Sequence, residues 1–423
     1  MAWRGPLASP LANRPRFRGG VLVSRTVHVH ANEREHETRA RRWRVRVCGF
    51  SIERIRPALP ARRAVGAVGV MGSEDLHWQS HRARTDPFWE SWLEASPAHL
   101  SLYPFWIEAI ARARGRLEEI RVRMGTQGLL PYFARSAWMY GVPVTQLELA
   151  GNLHSYHQEI PVRGDPSALI HDLLTDSGGP WQVFHAAGVP RGGTCTRAVQ
   201  AVARNLGARV IRYPGERSPY LPIKTDWNGY LAGRSRNFRY TLRRKRRALE
   251  RLGVEECWVD TEGRVQELLA CMWRIEEASW KVDAGMSMLA DSYERVFYRH
   301  LLPIMARRGL LQGLVLRIKG EPAAYSLCYR WRGSVGQIKT SFDQRLARLA
   351  PGAVATETSI RRAFESGASE FDFLGPWMPH KALWTDHVRV HESLFVFAPD
   401  LRGRLLGLAK AMRARLVRET HVD

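Results

Sequence analysis

Residues 341–385, SFDQRLARLAPGAVATETSIRRAFESGASEFDFLGPWMPHKALWT, decide how the chain is read. Pro351-Gly352 stands where a helix can begin, and Gly367 where it can stop. Between them Val354, Thr358 and Phe364, with the small Ala355 and Ala363, make one apolar side at helical spacing. Phe371 to Leu374 reads as a short buried strand followed by a polar-aromatic loop. A helix start leaves backbone N–H groups unpaired, and Arg345 and Arg348 lie just before this one. That combination seats a ligand carrying several phosphates.

Working outward, Leu310–Ile318, Ala323–Trp331 and Ser334–Phe342 read as three strands. The tight joints Gly320-Glu321 and Arg332-Gly333 make them antiparallel neighbours. Two helices precede them, about Val265–Trp280 and Ser292–Arg308. A last strand, Arg389–Phe397, and a basic helix, Leu401–Val417, follow. The first half has a similar rhythm. Phe105–Ala113 is a helix, and Leu117–Met124 with Leu129–Trp138 form a hairpin about Gly125–Gly128. Val144–Leu149 and His157–Val162 add strands, Pro166–Thr175 a helix and Gln182–His185 a buried strand. Thr194–Leu206 is a helix, Arg209–Tyr213 a strand, and the proline-rich RYPGERSPYLPI (212–223) the crossover between halves. The expected class is mixed α/β (α+β), with two related halves.

With 423 residues and 45% apolar composition the chain can build two ordinary domains plus extensions. No stretch reaches the uninterrupted apolar length of a membrane span, and arginines interrupt any secretory h-region. Five scattered cysteines without a CxxC pair fit a reducing cytosol. Residues 1–70 hold fifteen Arg and four Glu, close to half of the formal charge of +23. They lack periodic runs, so an extension over 1–84 is expected to be mostly disordered, and Met71 is a candidate true start.

GRSRNFRYTLRRKRRALERLG (233–253) is the most basic part of the remainder. Phe238, Leu242, Leu249 and Leu252 fall near one side, which makes an amphipathic helix with a cationic outer face. Few aromatics accompany the charge, so polyphosphorylated ligands or anionic lipid fit better than sequence-specific DNA, with tRNA contact left open.

The element order, together with SRNFRYTLRRKRRALERLG, EEASWK (276–281), SFDQRLARLAPGAV and FDFLGPWMPHKALWT, resembles the GCN5-related N-acetyltransferases (GNAT). More narrowly it is similar to the cellulose-biosynthesis CelD-type acyltransferases, relatives of the Fem-type aminoacyl transferases, over about residues 85–400. His380 stands where such proteins often carry Tyr, and Gly375-Pro376-Trp377 replaces an acidic loop. The resemblance implies tandem GNAT-like domains over 85–225 and 226–400, each a mostly antiparallel sheet flanked by helices, with 401–423 a basic C-terminal helix.

It also implies that Ser334–Phe342 and Phe371–Leu374 splay apart to admit the arm of acetyl-CoA or another acyl-CoA as donor. Lys339 and Ser341 would then offer backbone groups to the thioester. Arg345, Arg348, Gly352 and Ala353 would hold the diphosphate. Lys381 and Asp372 would line the acceptor side. Asp372 between Phe371 and Phe373 could pair an Arg, orient Lys381 or accept the amine proton. His380 is a candidate proton acceptor because imidazole titrates near neutrality. No metal is expected, since His380, His387 and His391 lack a carboxylate–histidine helix motif, and His154 and His157 lack the HExxH glutamate. Cys271 and Cys328 read as core.

The function expected is acyl transfer to an amine or hydroxyl, in envelope or exopolysaccharide synthesis, by a cytoplasmic protein able to sit at the membrane periphery. A Fem-like transferase using charged tRNA and a non-catalytic binding module are the alternatives.

Overall fold

In the computed structural model, residues 74–419 are described apart from 96–98, 127, 153, 283–286 and 290–291, together with two short strands near the N-terminus. Those strands, β1 (Arg25–His28) and β2 (Arg46–Gly49), pair antiparallel. The disorder expected for 1–84 otherwise falls outside the described residues, except at its end. There β3 (Glu74–His77) and α1 (Trp78–Ala95) are ordered, and Trp78 and Trp89 are buried in the core.

The first half continues with α2 (Pro104–Arg114), β4 (Ile120–Gly125), β5 (Gly128–Met139) and β6 (Val142–Leu149). Next come α3 (Ser167–Thr175), β7 (Val183–Pro190), α4 (Thr194–Asn205) and β8 (Arg209–Pro222). The second half holds α5 (Trp227–Ala232), α6 (Arg236–Glu250), β9 (Val254–Val259), α7 (Val265–Glu277) and α8 (Ser292–Arg307). It closes with β10 (Leu311–Ile318), β11 (Glu321–Trp331), β12 (Ser334–Phe342), α9 (Pro351–Glu365), β13 (Glu370–Asp372), α10 (Pro379–Ala382), β14 (Val388–Phe397) and α11 (Leu401–Glu419).

Local chemistry accounts for most boundaries. Ser235 caps α6 by accepting from the Phe238 N–H, and Leu242 and Leu249 are the buried face of that helix. Lys319 and Gly320 both have positive φ, which is the two-residue turn that a right-twisted hairpin prefers, and Arg332-Gly333 repeats it. Pro351 sets the first turn of α9.

One sheet of twelve strands runs in the order β3-β4-β5-β6-β7-β14-β8-β13-β12-β11-β10-β9. Among the described residues only β6–β7 and β12–β13 are parallel pairs. Each half therefore has four antiparallel strands, then a parallel fifth, then an antiparallel sixth. The sixth strands are exchanged. β14, counted above with residues 226–400, lies against β7 of the first half, while β8 of the first half borders β13 of the second. The segment 212–223, expected to be a crossover, is instead most of β8 and forms the seam of the sheet. Its prolines are tolerated because Pro214 sits at a register shift and Pro222 at the strand end. His157–Val162 is a loop with a single bridge, Val162 to Gly128. β9, not foreseen, is the edge strand beside β10.

Trp106, Phe297, Tyr325 and Leu327 anchor a core beneath α2, α7 and α8. Val335, Ile360, Phe364, Phe371 and Phe373 form another under α9, with Leu242 of α6 packed on it. Cys271 and Cys328 lie in buried positions and are free thiols.

Candidate functional site

β12 is bonded to β11 along its whole length but to β13 over only three residues, Ser334 to Gly336. Ile338 explains the parting. Leu327 faces Lys339 and Cys328 faces Gln337, so Ile338 is an extra residue in β12. Such a bulge bends its strand and raises the local twist. Beyond it, from Gln337 to Phe342, no strand among the described residues covers the β12 edge. The opening runs about 20 Å at the usual rise of a strand. The first half has no counterpart, because β6 ends at Leu149, one residue past its pairing with β7.

Asp372 stands at the vertex of this opening, opposite Gly336. Phe371 and Phe373 turn into the α9 core, which sends Asp372 to the other face. Its Oδ2 accepts from His157 Nε2 and from Arg389 Nη1, each at 3.0 Å, and its Oδ1 accepts from the Leu374 N–H at 2.8 Å. Burial pushes this carboxyl up, but the His157 hydrogen bond, the charges of His157 and Arg389 and the Leu374 amide outweigh it and hold it below the usual range. Arg389 also bonds Glu370 and lies over the Tyr220 ring at 3.7 Å.

His157 arrives from the first half with φ of 67°, a left-handed backbone uncommon for a non-glycine residue. With Nε2 donating to Asp372, the uncharged tautomer of this ring has its lone pair on Nδ1. His391 on β14 packs edge-on to it at 5.0 Å, and His99 is tilted at 5.4 Å. The Ser101 N–H donates to His99 Nδ1, so His99 carries its proton on Nε2 and donates to the Tyr329 hydroxyl at 2.6 Å. Burial pushes His99 down to about 3 and His391 to about 4, so both rings are neutral. Neither His391 nitrogen makes a well-formed hydrogen bond, although the Gly188 backbone lies close enough to favour its proton slightly. No motif singles these histidines out in the sequence, because His99, His157 and His391 come from three separate segments joined only by folding.

Lys381 is buried and folds back on the turn after β13, donating to the Leu374 carbonyl at 2.5 Å and the Pro376 carbonyl at 3.1 Å. Burial pushes its ammonium down to about 8, with Asp372 and Glu216 favouring the charge. It therefore braces the loop rather than reaching outward. His380 beside it is exposed. Crowding and the charges of Lys381 and Lys281 push its imidazole below the ordinary value.

At the other end of the opening, Asp343 accepts from the Arg345 N–H at 2.9 Å and grips its guanidinium. The Ala353 N–H already donates to the Ala350 carbonyl. The free anion contacts at this mouth thus narrow to the Gly352 N–H and the exposed Arg348. Gly352 has a packing reason as well, since a Cβ there would come within 2.8 Å of the Phe342 ring. Lys339 is held by Glu294, and Ser341 is buried on Ser279 at 3.1 Å, so neither side chain reaches outward. The Asp343 N–H donates to the Ala323 carbonyl of β11, so by alternation the main chain of Lys339 and Ser341 also faces β11, and that of Ile338, Thr340 and Phe342 faces the open edge. Lys281, in the EEASWK segment, donates to the Thr340 carbonyl at 2.7 Å and pairs with buried Glu276, which also accepts from Tyr325. Among the described residues no group of three His, Cys, Asp or Glu is arranged to hold a metal ion, and no helix is long and apolar enough to cross a membrane.

Residues 236–382 match the family model described as an acetyltransferase (GNAT) domain. The second half thus contains a GNAT-like domain. No curated protein matches the chain. Two solved structures share the fold across both halves. A conserved protein of unknown function from Bacteroides thetaiotaomicron superposes with a TM-score of 0.52 at 13% identity, over 78% of this chain and 100% of its own. FemX superposes with a TM-score of 0.53 at 12% identity, over 79% of this chain and 99% of its own. The GNAT domain by itself spans the opening, Asp372 and Lys381, whereas His157 and His391 lie outside it. The half that precedes it and the strand that follows it thus complete the wall of the opening.

Proposed function

We propose that the chain transfers an acyl group from acyl-CoA to an amine or hydroxyl, with the donor laid along the free edge of β12. The single observation that carries this reading is the three-residue limit of the β12–β13 pairing. An extended pantetheine-like arm can complete that edge as a strand does. Its diphosphate would lie at Arg348 and the Gly352 N–H, with Arg345 contributing charge while tied to Asp343. Ile338 and Thr340, rather than Lys339 and Ser341, would turn main-chain groups toward the thioester, and the amides of the bulge can face the oxyanion as it develops.

His157 is the proposed proton acceptor, and Asp372 orients it. Its Nδ1 takes the proton of the attacking amine or hydroxyl as the new bond to the acyl carbon forms. The tetrahedral intermediate then collapses with cleavage of the C–S bond, and the imidazolium returns that proton to the departing sulfur. Lys381 holds the turn that carries Asp372 onward, and His380 lines the acceptor rim. The CelD-type resemblance directs the acceptor search to amino and hydroxyl groups of glycan precursors.

An aminoacyl-tRNA donor is the second reading, and one observation favours it. The exposed Arg236, Arg243, Arg244, Arg247 and Arg251 form a stripe on α6, a helix packed against the turn before α9.

The test is a thermal-shift titration with acyl-CoA donors of increasing chain length. A ligand at a hundredfold excess over its Kd stabilises by about 2.7 kcal/mol. Stabilisation that Arg348→Glu removes supports the first reading. Salt-sensitive tRNA binding without any acyl-CoA response would replace it with the second.

A further inference from the structure

α11 is docked in the reverse sense of an ordinary surface helix. The side it turns to β8 and β14 carries Gly403, Gly407, Leu406 and Lys410. A Cβ on Gly407 would come within 3.1 Å of the Phe397 ring of β14, so the helix lies close. Lys410 is buried with its ammonium over the Phe395 ring at 3.7 Å. The opposite side shows Leu401, Leu405, Leu408 and Met412, at 76%, 58%, 45% and 59% exposure. Their i, i+4, i+7, i+11 spacing places all four in one stripe. Twelve large hydrophobic residues are exposed among those described, and a third of them lie here.

Charge selects what covers this stripe. Exposed Arg402, Arg404 and Arg413 flank it, and residues 401–418 contain no Asp or Glu. A second copy of the helix would bring arginines against arginines. A surface of anionic lipid offers apolar chains to the leucines and phosphate to the flanks. Arg402 also donates to the Pro143 carbonyl, which sets the first turn of α11 beside the β5–β6 turn, where Trp138 and Tyr140 are exposed. Aromatic side chains of that kind favour the membrane–water boundary.

We propose that α11 is an interfacial helix that seats the protein on an anionic membrane surface, lying in the plane of the headgroups with its leucine stripe inserted. The proposal is independent of the acyl-transfer reading. The experiment is co-sedimentation of the full chain with vesicles of phosphatidylcholine alone and of phosphatidylcholine mixed with phosphatidylglycerol. Binding to the mixed vesicles is expected, and Leu405→Glu with Leu408→Glu should weaken it by on the order of tenfold or more. Arg404→Glu with Arg413→Glu should weaken it on the anionic vesicles while leaving the circular dichroism spectrum unchanged. Arg243→Glu with Arg247→Glu on α6 should leave it intact. Three results overturn the proposal. They are no sedimentation of the full chain with either vesicle, binding that survives the leucine variant, or a dimer in sedimentation equilibrium that the leucine variant dissociates without any vesicle binding.

Discussion

At the scale of single residues, Asp372 is the group on which the vertex turns. It holds His157 and, together with Glu370, Arg389. Asp372→Asn keeps the shape and removes the charge. Turnover is expected to fall by about 10²–10⁴, the usual worth of a positioned acid–base group. Stability falls as well, by up to about 3–5 kcal/mol for a broken buried pair. Urea unfolding alongside kcat separates the two, and a destabilised variant with undiminished kcat would make Asp372 purely structural. The buried histidines add a pH dependence. Burial pushes His99 to about 3, His391 to about 4 and His154 to about 4, whereas an unfolded chain protonates them near 6.5. Between pH 6.5 and about 4 the unfolded state binds protons that the folded state refuses, so stability falls as pH falls through that window. Asp372, depressed below its ordinary value, acts lower down: its contribution is present above the unfolded carboxyl pKa and disappears as pH drops through the folded one. His391→Leu, which forfeits no well-formed hydrogen bond, is expected to flatten the acid limb of denaturation midpoint against pH. An unchanged limb would assign the effect to His99 and His154.

At the scale of elements, the parting of β12 from β13 depends on tight local packing. A Cβ on Gly336 would lie 2.2 Å from the Tyr329 ring, the same ring whose hydroxyl meets His99. Gly336→Ala should cost about 1–3 kcal/mol through overpacking, measured as a shift of the thermal midpoint. It should also lower turnover by moving Tyr329. An unaltered midpoint would mean that the ring has room to give. The elements legible in the sequence are those with strong local signals. The 3.6 period and serine cap of α6, the glycine turns of the β10–β12 meander and the Pro351 start of α9 all declare themselves. The start of β8, Arg209–Tyr213, reads as a strand, but its continuation hides because three prolines spell a loop, and only the partners β14 and β13 make it a strand. β9, with Glu255 and Glu256 in succession at an edge, lacks an apolar alternation. The bulge at Ile338 has no signature of its own. The site divides in the same way. Asp372, Lys381, Arg348 and Gly352 sit in the readable stretch, while His157 sits in an aperiodic loop and meets Asp372 only across the fold.

At the scale of the molecule, the exchange of sixth strands makes the two halves depend on each other. β14 bonds β7 on one side and β8 on the other, and β8 in turn bonds β13. A chain ending at His387 would leave β7 and β8 with bare edges at the centre of the sheet. Such a chain is expected to show no cooperative unfolding transition, whereas the full chain should unfold residues 74–419 in one step by calorimetry. Two well-separated transitions in the full chain would contradict this. The same exchange bears on how the protein is born. Nearly everything from Glu74 to Ala382 emerges from the ribosome before the strand that knits its centre together. The nascent chain must therefore carry an unfinished seam from the completion of β8 until β14 emerges, an interval in which unpaired strand edges stand open to aggregation.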